Sequence, residues 1–93
     1  MIDIKTVLLD GRKIKSPADL HQCLSESLQF PDYYGKNLDA LWDILSTTSE
    51  IHYIQLIHEH DFYENLDVYA QKTIDLFRSA ADSNKHIHFC MII

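Results

Sequence analysis

Three short apolar runs, set far apart and separated by stretches of helical period, constrain this chain most. "IKTVLL" (4–9) is rich in β-branched residues and stops at Asp10-Gly11, so it reads as a strand ending in a turn. "SEIHYIQLIH" carries Ile51, Tyr53 and Ile54 and reads as a second strand. "HIHFCMII" closes the chain as a third strand, apolar enough to expect burial on both faces.

The segments between them repeat at helical spacing. In "SPADLHQCLSESL", Ser16 is a suitable N-cap, Pro17 fits the first helical position and Asp19 completes a capping-box-like start. Leu20, Cys23, Leu24 and Leu28 then supply an apolar stripe, predicting a helix over 17–28. "QFPDYYG" (29–35) breaks it, because Pro31 pushes Phe30 out of helical geometry and Gly35 supplies a flexible backbone. Asn37 is the expected cap of a second helix over 38–47, with Leu38, Leu41, Trp42 and Leu45 as its core stripe. "EHDFYENL" reads as a short third helix. Asn65 or Asp67 is the expected cap of a fourth, with Ala70, Ile74, Phe77 and Ala81 inward. Strands joined by helical crossovers imply an α/β fold: a parallel sheet packed against about four helices.

With 93 residues, one domain over 1–93 is expected, able to bury a core with little stability to spare. The formal net charge is −6, and the eight Lys and Arg are scattered, which argues against direct nucleic-acid binding. The acidic balance suits a basic partner, or solubility alone. The N-terminus, with Asp3, lacks the apolar run of a signal peptide, and no stretch approaches the roughly 20 apolar residues of a membrane span. Cys23 and Cys90 lie among apolar neighbours and read as buried reduced thiols. A cytoplasmic monomer with no membrane contact is expected. The six histidines are dispersed: His52, His58 and His60 lie near one another, and His86 and His88 share a strand face, but no compact Cys/His ligand set accompanies them. Neither paired catalytic histidines beside a basic cluster nor an activated cysteine is evident. No metal, no cofactor and no enzymatic activity are therefore expected.

The most informative stretch is "YYGKNLDALWDIL" (33–45), where Asp39 and Asp43 stand one helical turn apart. Like charges at that spacing destabilise a helix by about 0.2–0.5 kcal/mol. Asp39 falls in the first turn, where the helix dipole favours an acid. Asp43 lies beyond it, and nothing in the sequence pairs with it. A solvated polar face is the ordinary explanation of two helical acids, but Tyr33, Tyr34 and Trp42 beside them form an aromatic-plus-carboxylate patch of the kind that anchors interfaces.

"PDYYGKNLDALWD" (31–43) closely resembles the signature of the barstar family, intracellular inhibitors of secreted bacterial ribonucleases. "DGRKIKSPADLHQCL" is similar to the first strand, turn and helix of that family, and "DLFRSA" with the apolar C-terminal run to its last helix and strand. Residues 48–66 match weakly. The resemblance implies a three-stranded parallel sheet with helices. It also implies a function, plugging a ribonuclease active site, with Asp43 matching the acid that enters the phosphate site and Asp39 a second acid on the same helix. Tyr33 matches a contact aromatic, and Asn37, Leu38, Ala40, Trp42 and Ser46 match other positions on or beside the surface. Tyr34 and Gly35 complete the loop. This chain departs from the pattern at Lys36, where an acid is tolerated, and at Thr47 and Thr48, which replace a glycine and an aromatic. Ser79 and Ser83 also stand where the last long helix brings further acids. The alternative reading is an acidic docking or immunity module of the same fold for a different basic protein or toxin.

Overall fold

The computed structural model describes residues 3–93; Met1 and Ile2, at the start of the segment read as lacking a leader, lie outside them. The elements follow the expected order: β1 (Ile4–Asp10), α1 (Pro17–Ser27), α2 (Leu38–Thr47), β2 (Ile51–Ile57), α3 (Glu59–Leu66), α4 (Val68–Ser83) and β3 (Ile87–Ile92). The three strands form one parallel sheet in the order β1-β2-β3. Register aligns Val7 with Ile54 and Phe89, and Leu9 with Leu56 and Met91. These residues share the covered face of the sheet. Helix α1 packs on β1 and α4 on β3, while α2 and α3 pack on α4.

Burial alternates along all three strands. In β3, Ile87 is buried and Phe89 and Met91 are half-buried, whereas His88, Cys90 and Ile92 are exposed. The expectation that β3 is buried on both faces is therefore corrected. A period-2 strand sends alternate residues to opposite faces, and the helices cover only one. On the open face Tyr53 stacks on His88, with ring centroids 4.6 Å apart and planes 13° apart. The same alternation corrects Cys90, which is an exposed thiol rather than a buried one, while Cys23 is half-buried and burial raises its pKa.

Local chemistry explains the element ends. Ser16 Oγ accepts from Asp19 N (3.2 Å), and the Asp19 carboxylate accepts from Lys15 N (3.0 Å), closing the start of α1 from both sides. At the Asp10-Gly11 turn, Asp10 Oδ1 accepts from Arg12 N, and the Arg12 guanidinium holds the Asp10 carboxyl down at about 2. A Cβ on Gly11 would lie 2.1 Å from His58 O, so only glycine lets this turn pass beneath the start of α3. Asn65 lies within α3 and donates to Gly11 O (3.0 Å) instead of capping. Asp67 occupies the N-cap position of α4, but its side chain makes no capping bond.

His52 is 2% exposed on the covered face of β2, and neither ring nitrogen has a hydrogen-bond partner among the described residues. Burial lowers its pKa.

Candidate functional site

Helix α2 is bound to the rest of the molecule at both ends and along one side. At its start, Asn37 Oδ1 accepts from Ala40 N at 2.8 Å, the expected cap. Along its inner side Leu41 and Leu45 are fully buried, and Ile44 packs partly against the same core. At its end, the side-chain amide of Asn84, just past α4, donates to Leu45 O (2.8 Å) and Thr48 O (2.9 Å). Asn84 Oδ1 also accepts from His86 N (3.0 Å), so one buried side chain ties the last carbonyls of α2 to the entry of β3. A helix end leaves carbonyls without intrahelical partners, and Asn84 satisfies them from a distant part of the chain.

The outer side of α2 carries Asp39, Trp42 and Asp43, all exposed. Trp42 is 37% exposed, so it stands at the edge of the face rather than in the core stripe; the buried positions are Leu41 and Leu45, with Leu38 half-buried. Among the described residues, no cationic side chain forms a salt bridge with Asp39 or Asp43. Ser46 and Thr47 turn their hydroxyls back onto Asp43 O, which leaves the Asp43 carboxylate without an intrahelical partner.

The loop before α2 sorts the two tyrosines. Tyr33 is 87% exposed, whereas Tyr34 is 7% exposed. The expectation that both lie on the partner surface is thus altered for Tyr34: its ring packs on Phe30 (4.8 Å, edge-on), and its hydroxyl lies 2.6 Å from His21 Nδ1. Burial pushes the Tyr34 hydroxyl pKa far up. Gly35 has no positive φ; the left-handed step falls on Lys36, at φ 55°. A Cβ on Gly35 would sit 3.3 Å from Ala40 Cβ, so the glycine serves the close passage of the loop over the start of α2.

Of the ten residues singled out, Tyr33, Gly35, Asn37, Asp39, Trp42 and Asp43 are exposed. Leu38, Ala40 and Ser46 are half-buried, and Tyr34 supports the loop from within. On α4, which packs beside α2, Ser79 and Ser83 are exposed and uncharged. The sequence reading missed His21, Tyr69 and Asn84. Their roles depend on partners 13, 48 and 39 residues away, which no local periodicity reveals. The described residues contain no group of three or more His, Cys, Asp or Glu side chains that could hold a metal ion, and no helix long and apolar enough to cross a membrane.

An anchored helix with two carboxylates unpaired among the described residues, flanked by an exposed tyrosine and a part-exposed tryptophan, is suited to charge-assisted hydrogen bonds with a cationic surface. The chain matches, over residues 4–93, the family model described as Barstar (barnase inhibitor). It is also 32% identical over 83 residues, 88% of this chain and 91% of the relative, to the Bacillus subtilis (strain 168) protein named "Putative ribonuclease inhibitor YrdF". The three-stranded parallel sheet, its four helices and this acidic second helix accord with those matches, and the chain belongs to the barstar (barnase inhibitor) family.

Proposed function

We propose that this protein is not an enzyme but a monomeric intracellular inhibitor of a basic, secreted, barnase-type ribonuclease, acting by placing α2 and the loop before it in the nuclease active site. The observation that carries this reading is the pair of carboxylates, Asp39 and Asp43, exposed on a helix anchored at both ends and without ion-pair partners among the described residues. Family membership and the name of the Bacillus relative support a ribonuclease as the target.

The chemistry follows from what a ribonuclease must carry. Its site holds RNA phosphates with Arg, Lys and His, and those cations lack a counter-charge when the site is empty. Asp43 enters the phosphate position and accepts hydrogen bonds there, two at once where an arginine presents its fork. Asp39 meets a second cation near the rim. Tyr33 and Trp42 supply apolar area around the ion pairs and exclude water from them, which strengthens each one. The like-charge cost of the two acids in the free protein is reversed when partner cations lie between them. Anchoring α2 before binding limits the ordering cost of association. The −6 charge raises the encounter rate with a cationic partner.

The test is a titration of ribonuclease activity, using a fluorogenic RNA substrate and the secreted ribonucleases of the same genome. The expected result is a linear loss of activity reaching zero at one equivalent for one of them. Full activity of all of them at a large excess of this protein would overturn the proposal.

A further inference from the structure

We propose that His21 is a positioning residue for partner recognition, joining the hydroxyl of Tyr34 in the loop before α2 to that of Tyr69 on α4 and so fixing how the neighbouring Tyr33 is presented.

The arrangement draws on three separate parts of the chain. His21, on α1, is fully buried. Its Nδ1 lies 2.6 Å from Tyr34 Oη and its Nε2 2.6 Å from Tyr69 Oη, so both ring nitrogens are engaged. The rings also pack on one another: His21 and Tyr34 centroids are 5.7 Å apart, and the Tyr69 ring meets the imidazole edge-on at 6.0 Å. A neutral imidazole has one donor and one acceptor. One tyrosine therefore donates to His21 and the other accepts from it, which leaves no polar atom of the imidazole unpaired.

Three polar groups are an expensive way to fill a core, because each loses its hydration and gains only a modest net hydrogen bond. What such a chain provides is directionality. Removing either hydroxyl strands a buried nitrogen, so the loop has one strongly preferred placement. Tyr33 depends on that placement. It is 87% exposed, so its direction is set mainly by the backbone on which it sits. That backbone is held at the next residue by the Tyr34 ring, by Tyr34 N donating to Pro31 O (2.9 Å), and by the His21 link. Tyr69 lies far along the chain from the acidic face, yet through His21 it bears on the loop that borders it.

This inference rests on the inhibitor reading for its consequence, but its structural half is measurable in the free protein. Tyr69→Phe removes one hydroxyl and keeps the ring. Hydrogen exchange followed by NMR should show the Tyr34 amide, which donates to Pro31 O, exchanging at least about tenfold faster in Tyr69→Phe, with the β2 amides unchanged. Unchanged exchange in the loop would overturn the inference, whether or not a ribonuclease partner is found. In the complex, Tyr69→Phe should weaken ribonuclease binding about tenfold in the parent background and less than twofold in the Tyr33→Ala background. An equal loss in both backgrounds, or no loss in either, would overturn it too. If Tyr69→Phe does not fold, Tyr34→Phe breaks the other end of the chain and is read by the same two measurements. A parent protein that binds no ribonuclease removes the inhibitor reading, while the exchange result still decides whether His21 holds the loop.

Discussion

Replacing Asp43 by alanine should separate binding from folding. The Asp43 carboxylate is exposed and has neither a hydrogen bond nor a salt bridge among the described residues; only its backbone carbonyl is used, by Ser46 and Thr47. Nothing in the free protein is lost with the side chain. The substitution removes a like-charge neighbour one turn from Asp39, worth about 0.2–0.5 kcal/mol. It also replaces a poor helix former with the best one, worth up to about 0.7 kcal/mol. Asp43→Ala should therefore be more stable than the parent by a few tenths to about 1 kcal/mol. Asp39→Ala supplies an internal control. Asp39 sits in the first turn of α2, where the helix dipole contributes about 0.3–1 kcal/mol; losing that offsets the same gains in repulsion and propensity, so Asp39→Ala should leave stability nearly unchanged. In the complex, Asp43→Ala leaves partner cations buried without their carboxylate, which typically costs about 2–5 kcal/mol, or well over tenfold in affinity. Urea unfolding and a calorimetric binding titration on the same preparations read both halves. A variant that unfolds more easily than the parent, while its folded fraction binds normally, would make Asp43 a structural residue and refute the reasoning.

Three other outcomes follow from particular contacts. His21 and His52 are buried, and burial lowers both pKa values below the ordinary value of about 6.5. The unfolded chain therefore takes up protons first as pH falls, so the stability from these groups is fully present above about pH 6.5 and is lost as pH drops toward the folded values. The expected slope is at most about 1.4 kcal/mol per pH unit for each histidine. His52→Leu, which removes a buried imidazole with no hydrogen bond among the described residues, should raise stability at pH 7 by about 1 kcal/mol and flatten the slope; urea midpoints at pH 7 and 5.5 check both, and an unaltered slope would contradict the assignment. Asn84→Ala should cost roughly 2–4 kcal/mol by stranding the Leu45 and Thr48 carbonyls, with faster hydrogen exchange concentrated at the end of α2. Lys36→Gly should raise stability by up to about 1 kcal/mol, since Lys36 sits in the left-handed region at φ 55°; a loss of stability in urea unfolding would show that the strain is absent.

The sequence alone determined the order and nature of the elements, the caps at Ser16 and Asn37, and the placement of Asp39 and Asp43 one turn apart. Those properties arise from side-chain periodicity and from short-range hydrogen bonds, both of which act over a few residues. Tertiary structure decided which side of each element met the core. It left one face of the sheet open, so Cys90 and His88 are exposed where an apolar strand suggested burial. It turned Tyr34 inward and Tyr33 outward, although the two are adjacent and identical, because only Tyr34 reaches a buried imidazole supplied by α1. It also recruited Asn84 to close α2 and Tyr69 to engage His21. These pairings join residues dozens of positions apart. Their energy comes from satisfying buried polar groups, and which groups are buried together is known only once the whole chain has packed.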